Sequence, residues 1–167
     1  MTLRQLRDSL TRDSLTRVPF NSLLGMRLQR VHRDGITIEC TLRDDLRNGA
    51  GVAHGGIAAA MADAAVGGAI QRHFGGGRRI TTVELKINYF LPVTEGRIFA
   101  RSHLLRVGST LCVGSVDLTD EHRRAIGTAI VTYMLINPPA VRTPDLGPQA
   151  SARVPSARRV TRPSTRK

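Results

Sequence analysis

The chain of 167 residues carries 25 Lys and Arg against 13 Asp and Glu, for a formal net charge of +12, and is 41% hydrophobic but only 4% aromatic. That length suits one domain with flanking tails. No apolar run reaches the roughly 18 residues of a membrane span, and the N-terminal MTLRQLRDSLTRDSLTR lacks the apolar stretch of a signal peptide, so a cytoplasmic protein with no membrane partner is expected. From Asn137 onward there are seven Lys or Arg, one acid and six of the eight prolines. This predicts a disordered basic tail over residues 138–167 that holds half the net charge, and it argues against a specific nucleic-acid surface.

Residues 1–19 read as an N-terminal extension. They contain a perfect tandem repeat, RDSLT-RDSLT, over Arg7 to Thr16, and Leu3, Leu6 and Leu10 share one face of a short helix. Pro19-Phe20 leads into Ser22-Leu23-Leu24-Gly25, a turn of helix closed by glycine. Met26 to His32 and Gly35 to Leu42 alternate apolar and polar residues, with Asp34-Gly35 between them as a hairpin signal. A polar loop over Arg43 to Gly51 carries Asn48.

His54 to Phe74, HGGIAAAMADAAVGGAIQRHF, reads as one long helix that Gly75-Gly76-Gly77 stops. Four strand-like stretches follow, Ile80–Leu91, Arg97–Val107, Thr110–Thr119 and Ala125–Ile136, each alternating and rich in β-branched residues. Cys40 and Cys112 lie far apart in strand-like contexts and read as small buried hydrophobes.

The helix is apolar nearly all round, which predicts a central helix covered by other elements. Gly67 and Gly68 cost it up to about 1 kcal/mol each relative to Ala, which makes sense if another element approaches its backbone closely there. Asp63 is the anomaly, since an unpaired buried carboxylate is expensive. Two strands, a long helix and four strands imply an α+β fold. About six antiparallel strands would wrap around one long central helix, the hot-dog arrangement, over residues 20–137. One helix cannot cover every sheet edge, so side-by-side dimerisation is expected.

The chemistry-bearing residues cluster around that helix: Asn48 before it, His54-Gly55-Gly56 at its start, Asp63 within it and Thr82-Val83-Glu84 on the next strand. A helix N-terminus offers unpaired N–H groups and partial positive charge, and Gly55 has no side chain to keep a substrate carbonyl away, as an oxyanion site needs. Asp63 lies about 13.5 Å along the axis from His54 and half a turn round it. The two point apart within one subunit, so a shared reaction requires a partner helix alongside.

Asn48-x5-His54-Gly55-Gly56-x6-Asp63, followed by Thr82-Val83-Glu84-Leu85-x-Ile87-Asn88-Tyr89 and Pro92, resembles the PaaI-like hot-dog acyl-CoA thioesterases. The likeness runs from about Phe20 to Ile136 and includes Arg106-Val107-Gly108-Ser109-Thr110-Leu111. It implies a homodimer, or a dimer of dimers, that hydrolyses an aryl- or medium-chain acyl-CoA to the acid and coenzyme A without a bound cofactor. It also implies that Asp63 is the carboxylate that activates water or attacks the thioester. Gly55 N–H would polarise the carbonyl, Asn48 and His54 of the opposing subunit would orient carbonyl and nucleophile, and Thr82 would stand near the water. Arg78, Arg79, Arg106, Gly108 and Ser109 are candidate coenzyme A contacts, beside a plain solvated-surface reading. No Ser-His-Asp elbow, HExxH or paired CxxC is present, so triad and metal chemistry have no support. The rival readings are a non-catalytic acyl-CoA binding module and a hot-dog acyl-thioester hydratase or dehydratase.

Overall fold

The computed structural model describes residues 15–136. The expected helix over Leu3–Leu10, most of the tandem repeat and the basic tail lie outside the described residues. A short helix, α1 (Pro19–Leu23), starts on a proline, and Gly25 closes it with φ +72°. Strands β1 (Arg27–Val31) and β2 (Ile36–Thr41) form a hairpin, followed by a 3-10 turn at Asp44–Leu46 that tucks Leu46 into the core. The long helix α2 (Gly55–His73) leads to β3 (Arg79–Tyr89), β4 (Arg97–Val107), β5 (Leu111–Asp120) and β6 (Ala125–Ile136). The six strands make one antiparallel sheet in the order β1-β2-β4-β5-β6-β3.

The chain leaves β2, runs the length of α2 and returns at the far edge as β3. The three later strands fill the gap between them. The helix therefore lies across the sheet and packs on β2, β3, β4, β5 and β6. At about 1.5 Å per residue its 19 residues span close to 29 Å. The core is the meeting of Met61, Ala62, Ala65, Val66 and Ile70 with Ile36, Ile38, Ile98, Val116, Leu118 and Val131, all at 1% exposure or less. Cys40 and Cys112 are buried among them as free thiols.

The helix is covered as the sequence predicts: from Ile57 to Arg72 every residue is buried or half-buried, with Ala59, Ala60, Asp63 and Ala64 among the half-buried ones. The glycines explain how closely helix and sheet approach. A Cβ on Gly67 would stand 2.7 Å from the Tyr133 hydroxyl, and one on Gly68 would stand 2.8 Å from Ile36 Cδ1. The helix ends as the triple glycine predicts: Gly75 N–H donates to Arg72 O and Gly76 N–H to Gln71 O, a Schellman closure on left-handed glycines. Gly35 differs from expectation in its reason. It does not adopt positive φ; it is required because a Cβ there would sit 1.8 Å from the Ser102 carbonyl oxygen.

The two sheet edges differ. β1 is short, interrupted by a bulge and studded with Arg27 and Arg30, a protected edge. β3 is 11 residues long, bulged at Val83, and leaves Val83, Tyr89, Phe90 and Leu91 about half exposed along the strand and its exit. Leu15, which the sequence reading placed in the N-terminal extension, is 3% exposed and packs into the core, with its carbonyl held by Asn21 Nδ2 at 3.1 Å.

Candidate active site

The first group of site residues sits where the Arg43–Gly51 loop meets α2. Asn48 Oδ1 accepts from Ala50 N–H at 2.9 Å and Val52 N–H at 3.3 Å. Two backbone donors thus fix which end of the amide is oxygen and leave Nδ2 to donate outward. His54 is the helix N-cap: its Nδ1 accepts from Gly56 N–H at 3.0 Å. In the neutral ring the proton then resides on Nε2, which becomes a second outward donor. Gly55 N–H, at the first helical position, has no acceptor within the helix. Its carbonyl is held by the Tyr89 hydroxyl at 2.8 Å, and a Gly55 Cβ would meet that same ring at 3.1 Å. These residues line a cavity of about 320 Å³ with Tyr89, Phe90 and Leu91.

The second group sits at mid-helix. Asp63 Oδ1 accepts from the Thr82 hydroxyl at 2.8 Å. Both line a different cavity, of about 670 Å³, walled by Leu15, Val18, Phe20, Ala60, Ala64 and Ile80. Small helical residues on one side and the N-terminal segment on the other make it roomy and largely apolar, within the size range of small-molecule sites.

The sequence-derived residues thus fall into two sets. Asn48, His54 and Gly55 come together as donors; Asp63 and Thr82 come together as an acceptor and its partner. One subunit does not bring the two sets into one cavity, in keeping with their spacing along the helix.

The candidate coenzyme A residues divide as well. Arg78 borders the Asp63 cavity, with its guanidinium 5.6 Å from the Phe74 ring centroid. Arg79 opens β3 opposite Ile136. Arg106, Gly108 and Ser109 line a separate hollow of about 350 Å³ at the β4–β5 turn. Leu135 N–H bonds to the Thr110 carbonyl next to that turn, so all five residues lie towards the same end of the sheet.

Two residues that carry no role in the sequence reading act on the site helix. The chain has two tyrosines, and both hydroxyls donate to α2 carbonyls: Tyr89 to Gly55 and Tyr133 to Asp63, the latter at 3.0 Å. Burial, and then the charge of Asp63, push the Tyr133 phenol far above its ordinary range, so it remains a donor. Tyr89 is visible in the sequence as part of the β3 motif. Tyr133 is recognisable only once β6 is known to lie beside β3.

Residues 50–126 match the family described as the Thioesterase superfamily. Over 133 residues the chain is 29% identical to the medium/long-chain acyl-CoA thioesterase YigI of Escherichia coli, covering 71% of this chain and 86% of that one. Among solved structures, a thioesterase family protein from Silicibacter pomeroyi superposes with a TM-score of 0.69 at 27% identity, covering 79% of this chain and 99% of the other. A variant of the phenylacetic acid degradation protein PaaI from Thermus thermophilus shares the fold, with a TM-score of 0.63 at 23% identity over 71% of this chain and 99% of that one. The six-stranded sheet and its long helix are a hot-dog fold, and residues 50–126 within it match the Thioesterase superfamily.

Proposed function

We propose that this protein is a cytoplasmic acyl-CoA thioesterase, active as at least a homodimer, that hydrolyses medium-chain or aryl acyl-CoA to the free acid and coenzyme A. The observation that carries the reading is the 2.8 Å Thr82–Asp63 hydrogen bond at the wall of an apolar cavity. It ties one carboxylate oxygen and leaves Oδ2 for chemistry. The acyl chain would occupy the space between Ala60, Ala64 and the Leu15–Phe20 segment, with its thioester at Asp63.

The missing half of the reaction is supplied by a second subunit. The long β3 edge with exposed Val83, Tyr89 and Phe90 is the edge best suited to pair with its own copy. Such pairing sets the partner's helix start against this subunit's Asp63. Gly55 N–H, His54 Nε2–H and Asn48 Nδ2–H from across the interface would then hold the carbonyl oxygen as it gains negative charge. Asp63 acts on the carbonyl carbon either through a water that it deprotonates, passing that proton to the departing sulfur, or through its own oxygen, giving an acyl anhydride that water then hydrolyses to the acid. The C–S bond breaks and coenzyme A leaves as its thiol. Arg78, Arg79 and Arg106 would meet its phosphates.

Thiol release from a panel of aliphatic and aryl acyl-CoAs tests the proposal, with wild type and Asp63→Asn side by side. Turnover by wild type and a loss of about 10²–10⁴-fold in the variant are expected, the usual worth of a positioned acid–base group. Acyl-CoA binding with no turnover by either protein would instead make this a binding module.

A further inference from the structure

Asp63 is held at two points, its carboxylate and its backbone carbonyl, and the second of these belongs to a pair of residues with no role in the reading above. Thr82 and Tyr133 are cross-strand partners on β3 and β6. Residues paired this way project from the same face of the sheet, and here both hydroxyls reach α2 at one residue. Thr82 donates to the Asp63 carboxylate, and Tyr133 donates to the Asp63 backbone carbonyl. One rung of the sheet thereby grips both ends of the same amino acid.

Tyr133 reaches that carbonyl through a gap in the helix surface. Asp63 O is the acceptor for the helical N–H four residues on, at Gly67, so the phenol must approach over that residue. A Cβ on Gly67 would lie 2.7 Å from the Tyr133 oxygen and 3.1 Å from Cζ, inside the space the ring occupies. The ring itself is 6% exposed and has little room to withdraw. Gly67, which costs helix stability in its own right, is the residue that lets the phenol in. Burial keeps the phenol protonated, so it donates across the whole working pH range.

We infer that Tyr133 and Gly67 form a matched pair that positions Asp63: the phenol docks on the Asp63 carbonyl through the space Gly67 leaves, and so fixes the reach from this helical turn to Thr82. The inference rests on the thioesterase reading for its consequence on rate, though not for its geometry. Tyr133 acts through Asp63 and is a positioning residue. Its hydroxyl's loss in Tyr133→Phe lets the carboxylate rotate away from Thr82 while the ring, which lines the Asp63 cavity, stays in place.

The test is a double-mutant cycle of Tyr133→Phe and Gly67→Ala, read by kcat and KM separately, together with crystal structures of wild type and Tyr133→Phe. Each single variant is expected to lower kcat by roughly ten-fold, less than the ~10²-fold that a 1 Å misplacement can cost, with KM nearly unchanged. In the Tyr133→Phe background the added alanine loses the 2.7 Å clash with the hydroxyl and keeps only the 3.1 Å approach to Cζ, so Gly67→Ala should cost less there than in wild type. Tyr133→Phe should also open the 2.8 Å Thr82–Asp63 contact in the crystal. A purely structural tyrosine would lower the melting temperature and leave kcat, KM and that contact as they are; this outcome overturns the inference, as does strict additivity of the two substitutions. If wild type turns over no acyl-CoA, the thioesterase reading falls. The pair is then judged by the crystal structures alone, and an unmoved Asp63 in Tyr133→Phe refutes it.

Discussion

The middle of α2 and the turn between β5 and β6 each present a carboxylate that local patterning does not explain, and they use it in opposite ways. Asp120 is 3% exposed and saturated. Its Oδ1 accepts from His122 and Arg124 N–H at 2.9 Å each, and its Oδ2 from Arg124 Nε at 2.6 Å. Burial by itself would raise its pKa, but the backbone and side-chain hydrogen bonds from Arg124, together with that residue's charge, outweigh it and hold the group ionised. The cluster clamps a turn in which Arg123 takes a positive φ of 62°. Asp63 is only half-buried, accepts from Thr82 on one oxygen and borders a cavity. A carboxylate with both oxygens engaged holds the chain; one with an oxygen to spare beside a largely apolar cavity is equipped to react.

The largest effect should come from separating Asp63 from the donors at the helix start. Asp63→Asn and His54→Ala homodimers are each expected to be nearly inactive. If every site takes Asp63 from one subunit and His54 from the other, mixing the two variants after reversible dissociation creates hybrids with one intact site. Random exchange then restores about a quarter of wild-type activity, because half the dimers are hybrid and each holds one of two sites. No recovery after verified subunit exchange would place both groups in the same subunit's site.

A smaller effect, on a different axis, is expected at Asp120. Asp120→Asn sets an NH₂ group against Arg124 Nε–H while burying it, so the turn loses its clamp. The melting temperature should fall by several degrees with kcat/KM of the folded protein unchanged. Thermal unfolding and thiol-release assays on the same sample separate the two quantities. A loss of rate at unchanged stability would erase the contrast with Asp63.

That contrast was only half legible in the sequence. Asp63 stands out because a charge interrupts a run of Gly, Ala, Ile, Val and Met, and the helix bounds follow from His54 and three consecutive glycines. The strands were legible to within about two residues because their alternation is local. What was hidden depends on strand order. Tyr133 meets Asp63 only because β6 lies beside β3, a pairing that no window of neighbouring residues encodes. The same holds for Gly35, whose reason is the Ser102 backbone on β4. Leu15 looked like part of a repeat because its burial depends on the groove beside α2, which forms only once the sheet is assembled.

The smallest effect belongs to a third carboxylate, which is tied at both oxygens yet exposed. Asp34, in the β1–β2 turn, accepts from Arg101 Nη2 at 2.5 Å and from His103 Nδ1 at 2.9 Å. The Arg101 hydrogen bond, against a burial penalty and aided by His103, holds its pKa at about 2, below the ordinary 3.8. A depressed folded-state value means that ionised Asp34 favours the folded protein. The contribution is complete above pH 4 and is lost as pH falls through about 2. Because the pair lies in solvent, that contribution is slight and weakens with added salt. Urea unfolding of wild type and Asp34→Asn should therefore differ modestly at pH 7 in low salt, and the difference should close between pH 4 and pH 2. A gap that persists below pH 2 would mean that Asp34 supports the turn by its shape rather than its charge, and would move it into the same class as Asp120.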